Sequence, residues 1–174
     1  MKTNAQVAII MGSKSDLPNL KRAFEILRDF GVPHTAKIMS AHRTPVEAAK
    51  FASEAEQDGI KVIICAAGMA AHLAGVVAAH TTLPVIGIPM ACEPFNGLDA
   101  LLAMVQMPPG IPVATVTAGK SGADNSALLA VSILALSDSS LARKLKDFRV
   151  KQSDKVKAAD AELQETLKSG AIPQ

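Results

Sequence analysis

Near the N-terminus the chain runs Val7-Ala8-Ile9-Ile10-Met11-Gly12-Ser13-Lys14-Ser15-Asp16-Leu17-Pro18, a strand, a turn and a helix start in twelve residues. The first five of these residues are apolar without alternation, the pattern of a parallel strand covered on both faces. A Gly and two hydroxyl residues follow, and then a helix start, with Asp16 suited to the N-cap and Pro18 to the first turn. Leu20, Phe24, Leu27 and Phe30 continue at helical spacing, and Gly31 ends the segment.

The same plan recurs downstream. His34 to Ser40 reads as a strand, and Thr44-Pro45-Val46-Glu47 as a capping box opening a helix to about Gln57. Val62 to Ala66 predicts a third strand, and Ala70 to about Ala79 a third helix containing His72. Val85 to Ile88 and Val113 to Val116 predict two more strands, with helices over Leu98–Val105 and Asn125–Leu136. Strands alternating with helices imply a parallel sheet between two helical layers, with right-handed crossovers. The expected fold class is therefore α/β, a three-layer doubly wound parallel sheet of flavodoxin-like type, with a core over about 6–137.

From Ser139 to about Lys168 the pattern changes to one long charged helix. Leu141, Leu145, Phe148, Val156, Ala159, Leu163 and Leu167 form a thin apolar stripe along it. A helix of this length packs across the parent domain or on a neighbouring subunit, and the neighbour is favoured. No linker or second domain is visible within 1–174, and the end from Gly170 is expected to fray.

Composition narrows the function. At 174 residues and 49% hydrophobic content the chain buries a sizeable core. A formal net charge of +2, with no basic run, argues against nucleic acid or an anionic membrane surface. The absence of Trp and Tyr argues against a base-stacking platform. The apolar run near the N-terminus is too short for a signal-peptide core or a membrane span. The two cysteines, Cys65 and Cys92, show neither CxxC pairing nor metal-ligand spacing, and a cytoplasmic location follows naturally.

Ligands of such sheets bind beyond the carboxyl ends of the strands, so the segments that follow strands matter most. In Gly12-Ser13-Lys14-Ser15-Asp16, backbone can approach a ligand at Gly12, and the hydroxyls and helix start can receive phosphate oxygens. Asp16 either caps its helix or faces a ribose, and one residue can do both. In Ser40-Ala41-His42-Arg43-Thr44-Pro45, Arg43 offers a planar fork to phosphate, and His42 can give and take a proton near neutral pH. In Ala66-Ala67-Gly68-Met69-Ala70-Ala71-His72-Leu73, small residues leave room for a flat ring, and His72 is either a loop-orienting or a catalytic histidine.

Two lures fail. Gly119-Lys120-Ser121 resembles the end of a P-loop, but position 114 is Ala where that motif needs Gly. Cys65, inside an apolar strand, reads as a buried thiol rather than a nucleophile, and Glu93 disfavours a thiolate at Cys92. A phosphorylatable receiver module is also excluded. It needs acidic residues where this chain has Gly12-Ser13 and Ala67-Gly68.

These three segments, together with Asn96-Gly97-Leu98-Asp99, Val105-Gln106-Met107-Pro108, Gly110 to Thr115 and Asn125 to Ala130, resemble the PurE family over about residues 6–150. Within it the chain is similar to the class I branch, the N5-carboxyaminoimidazole ribonucleotide mutases. The other branch carboxylates aminoimidazole ribonucleotide directly and typically has Lys in place of Arg43. The resemblance implies a ribonucleotide substrate, no metal or organic cofactor, and a homo-octamer whose C-terminal helix reaches over a neighbour. Transient contact with the upstream carbamate-forming synthetase is a further expectation. The resemblance also implies His42 as the catalytic acid-base and Ser13, Asp16 and Arg43 as substrate-binding residues. Ser15, Ser40 and Arg43 are expected at the phosphate, and Asp16 at the ribose. Gly68 is expected to contact the imidazole through its backbone, with Ala41, His72 and Leu73 lining the site. Met69 and Ala74 depart from the family pattern, which often has Gly and Pro there.

Overall fold

The computed structural model describes residues 4–170. The chain divides after Leu134 into two compact units. The first carries a parallel sheet of β1 (Val7–Met11), β2 (His34–Ile38), β3 (Val62–Gly68), β4 (Val85–Met90) and β5 (Ala114–Thr115), in the order β2-β1-β3-β4-β5. This is the flavodoxin-like order, and it reverses between β1 and β3. The three inner strands bury nearly every residue, which is why their sequences are continuous apolar runs. Cys65 is fully buried in β3, and burial pushes its thiol far up, as expected of a packing residue.

Helices α1 (Leu17–Phe30), α2 (Pro45–Glu54), α3 (Leu73–Ala79), α4 (Leu98–Val105) and α5 (Lys120–Ala135) connect and follow the strands. α1 buries Leu20, Ala23, Ile26, Leu27 and Phe30, and Gly31 ends it in a left-handed conformation at φ 76°. The core on the α2–α3 side joins Ile10, Ile63 and Cys65 of the sheet to Ala48, Ala52, Leu73 and Val77. Alanine on both helices allows this close approach.

Several boundaries differ from the sequence reading. α2 ends at Glu54 rather than near Gln57, and α5 begins at Lys120 rather than Asn125. β5 is shorter than Val113–Val116, and Pro89 accounts for its C-terminal limit. The Pro89 carbonyl accepts the Gly119 N–H at 2.9 Å, on the β5 side, so its missing N–H also falls on that side. The β4–β5 ladder accordingly stops at Gly87↔Thr115.

The second unit is dominated by α6 (Ser139–Lys168). Its start is fixed by the Asp138 carboxylate, which accepts the Ser140 and Leu141 N–H groups at 2.8 and 3.1 Å. Val156, Leu163 and Leu167 of its stripe are exposed, as is Val150 beside it. The expected fraying at the C-terminus concerns mainly 171–174, which lie outside the described residues, as do residues 1–3 of the N-terminal stretch. Among the described residues no helix is long and apolar enough to cross a membrane.

Candidate active site

The loops after β1, β2, β3 and β4 meet at the carboxyl edge of the sheet, at the switch point. They enclose a cavity of about 590 Å³, a size that suits a small organic ligand. All ten candidates lie on it: Ser13, Ser15, Asp16, Ser40, Ala41, His42, Arg43, Gly68, His72 and Leu73. A second cavity of about 850 Å³ lies between His80–Val85 and Gly110–Pro112, before β4 and β5, and contains none of them.

The β1 loop forms a short 3-10 turn, Lys14–Asp16, rather than running straight into α1. Ser13 caps it. The Ser13 hydroxyl oxygen accepts the Ser15 N–H at 3.3 Å and the Ser15 O–H at 2.8 Å. With both lone pairs engaged, the Ser13 proton is left to donate outward. The Asp16 carboxylate accepts the Ser13 N–H at 3.1 Å and makes no cap bond to α1. The expected N-cap role of Asp16 on the long helix is thus replaced by a capping box one turn earlier. Burial pushes the Asp16 carboxyl above its ordinary range, partly offset by the Ser13 N–H.

The β2 loop is built around Ser40 in the same way. Its hydroxyl oxygen accepts the N–H groups of His42 at 3.3 Å and Arg43 at 3.2 Å, so it too presents its proton as a donor. Thr44 does not cap α2 as expected. Its hydroxyl instead accepts the Ser40 N–H at 2.9 Å and donates to the Ser40 carbonyl at 3.1 Å, closing the turn on itself. This closed turn aims His42 and Arg43 at the neighbouring strands. Arg43 Nη2 donates to the Gly12 carbonyl at 3.0 Å, which leaves most of the guanidinium's N–H groups free toward the cavity.

The β3 loop corrects the reading of His72. α3 starts at Leu73, so His72 stands at the N-cap position rather than within the helix. The His72 N–H donates to the Ala70 carbonyl at 2.8 Å, which tightens the turn ahead of the helix. Its Nδ1 lies 2.9 Å from Nε2 of His42, with the rings edge-to-face and centroids 5.0 Å apart. One of these nitrogens must carry the proton while the other presents a lone pair. At this contact the two imidazoles share a single N–H, beside the Arg43 guanidinium and two hydroxyl donors.

Gly68 has no room for a side chain. A Cβ there would stand 2.7 Å from Cys92 Sγ and 3.2 Å from the Met90 carbonyl. Met69 follows in the left-handed region at φ 56°, a conformation that costs a residue with a Cβ about 1 kcal/mol. Cys92 also lines the cavity, a position that composition and spacing did not indicate. The strand order was the missing signal: β4 lies beside β3, so the loop after it must border Gly68. Among the described residues no group of three or more His, Cys, Asp and Glu is placed to hold a metal ion.

Related proteins are recognisable by sequence and by structure. The family model described as AIR carboxylase matches residues 6–155. The chain is 50% identical to the N5-carboxyaminoimidazole ribonucleotide mutase of Escherichia coli (strain K12) over 152 residues, 87% of this chain and 90% of the relative. It is 55% identical to that of Pyrococcus abyssi over 144 residues, 83% and 82% of the two chains. For Bacillus subtilis the identity is 54% over 143 residues, 82% and 88% of the two chains. The solved structure of Treponema denticola PurE superposes with a TM-score of 0.82 at 31% identity, covering 90% of this chain and 97% of that one.

Proposed function

This chain belongs to the AIR carboxylase family, and from that premise we propose that it carries out one step of purine biosynthesis, moving the carboxylate of N5-carboxyaminoimidazole ribonucleotide from the exocyclic nitrogen to ring carbon C4. It is an isomerase, as its mutase relatives are. The observation that carries the reading is one cavity in which His42 touches His72 while Arg43, next in sequence, reaches across to the Gly12 carbonyl. A proton carrier and an anion clamp thus face the same space.

The assignment of roles follows the hydrogen-bond pattern. Ser13 and Ser40 donate to the phosphate, where both hydroxyl oxygens are already saturated as acceptors. Arg43 supplies the charge there. The Ser15 hydroxyl points to Ser13 and orients it, a supporting role beside the direct contact expected from sequence. Asp16, held by the Ser13 N–H, accepts from a ribose hydroxyl. Gly68 offers backbone to the flat ring, and Ala41 and Leu73 complete the wall.

Chemistry then needs one proton carrier. His42 protonates the exocyclic nitrogen, the N–C bond breaks, and carbon dioxide is freed within the cavity. The electron-rich C4 attacks that carbon dioxide, forming the new C–C bond. His42 then takes the C4 proton, restoring both the aromatic ring and its own starting state. Such acid-base help is worth about 10²- to 10⁴-fold, and holding the fragments together supplies much of the rest. No residue of this scheme requires a metal or organic cofactor.

Beyond the chemistry, we propose a cytoplasmic homo-octamer in which α6 lies on a neighbouring subunit. Its exposed Val150, Val156, Leu163 and Leu167 support this. Transient contact with the upstream carbamate-forming synthetase would limit loss of a labile substrate. The direct test incubates the purified protein with the N5-carboxy substrate, and in parallel with aminoimidazole ribonucleotide plus bicarbonate. C4 product from the first mixture supports the isomerase, whereas product from the second alone identifies a carbon-dioxide-dependent carboxylase.

A further inference from the structure

Met69 lines the same cavity and yet is 60% exposed, which puts it at the mouth rather than on the floor. Its backbone is held on both sides. Gly68 is wedged against Cys92 and Met90, and the Ala70 carbonyl is bonded to the His72 N–H. Between these anchors Met69 adopts φ 56°, and among the described residues only Asn96 shares a positive φ without being Gly. A left-handed residue bearing a long side chain persists only where its surroundings impose it, and such positions cluster at ligand clamps. Of the other exposed residues on the cavity, Ser15, His42, Arg43 and His72 are polar and attract water, and Ala70 carries only a methyl group, too short to fold over a ligand. Leu73, also apolar, is fully buried and cannot reach the mouth.

We infer that Met69 is a specificity-determining lip, an apolar side chain that folds over the bound ring and keeps freed carbon dioxide from exchanging with solvent. This rests on the functional reading above. A reaction that breaks one bond to carbon dioxide before making another succeeds only if that small, weakly held molecule stays in place. The fixed polar groups bind the nucleotide but give carbon dioxide no barrier. Methionine suits the task because its unbranched thioether adapts to whatever lies beneath it.

The test runs the reaction on unlabelled N5-carboxy substrate in carbon-13 bicarbonate, with carbonic anhydrase present to keep the dissolved pool in equilibrium. Label in the C4 product, corrected for the enzyme-free blank, reports exchange per turnover. Met69→Ala and Met69→Gly should raise label by about tenfold, the discrimination that one or two methylenes of apolar contact supply, and should release free aminoimidazole ribonucleotide. Met69→Leu should return label to the parent level. Met69→Gly suits the left-handed backbone, so it decides the matter if the Ala variant folds poorly. Active Ala or Gly variants with parental label overturn the lip, even if their turnover falls. A parent protein that does not convert the N5-carboxy substrate overturns the functional reading, and the lip with it.

Discussion

Replacing Gly68 by Ala tests the geometry of the site wall most sharply. The new methyl would meet Cys92 Sγ at 2.7 Å, the Met90 carbonyl at 3.2 Å and Met90 Cβ at 3.4 Å. Met90 is the ladder partner of Gly68, so its backbone cannot retreat without breaking β3–β4 pairing. The thiol can rotate, but it lines the cavity, so its turning reshapes the site wall. Overpacking typically costs about 1–3 kcal/mol, and a thiol on one rotatable bond places this case near 1–2 kcal/mol. For a chain of this size that corresponds to a fall of about 2–8 °C in melting temperature. The assay is thermal unfolding at fixed protein concentration, since the proposed assembly would make the midpoint concentration-dependent. Cys92→Ala in the same background removes the nearest clash and should recover at least half of the loss, a coupling of about 0.5 kcal/mol or more. A melting temperature unmoved by Gly68→Ala, or two substitutions that simply add, would refute the packing argument.

Two further substitutions probe the ligand-facing groups. Arg43→Lys keeps the charge, but a single ammonium cannot both serve the Gly12 carbonyl and grip phosphate as a fork. KM should rise about tenfold, or about 1.4 kcal/mol, with kcat changed less. An unchanged KM in steady-state kinetics would remove Arg43 from the phosphate. Burial raises the folded Asp16 carboxyl above its ordinary 3.8. Between that value and the raised one the folded state binds more protons, so this contribution is present below 3.8 and is lost as pH rises. Asp16→Asn lacks the titration. The stability of the parent relative to this variant should therefore fall as pH climbs through the window and level off beyond it. A difference that stays flat in melts on both sides of the window would contradict this.

Much of the sheet was legible because burial on both faces leaves a continuous mark. Val7–Met11, Val62–Ala66 and Val85–Ile88 could hardly have been anything but inner strands. Edge and cap details were less legible, because they depend on partners distant in sequence. Thr44 and Glu47 carry the letters of a capping box, yet the Thr44 hydroxyl is taken by Ser40. Asp16 precedes a long helix, yet its carboxylate turns back to Ser13. His72 sits in a run of good helix formers, but the left-handed Met69 and the Ala70–His72 bond delay the helix to Leu73. α5 starts five residues before its predicted start, and its first turn sets Gly122 against Thr117 and Ile88 where no side chain would fit, a contact no periodicity reveals. The candidate site was visible as three polar interruptions after strands, since folding alone gives no reason for His42 and Arg43 in one turn. Their convergence was legible only through the expected flavodoxin-like strand order and the family resemblance, because no local pattern encodes it.

The proposed reaction requires His42 as the carrier of the moving proton. His42→Asn keeps a polar side chain on the turn but removes the titratable ring, and it leaves Arg43, Ser13 and Ser40 in place to bind the nucleotide. Turnover of the N5-carboxy substrate should fall by about 10²- to 10⁴-fold, while nucleotide affinity measured by calorimetry changes little. Turnover within about tenfold of the parent would contradict the mechanism.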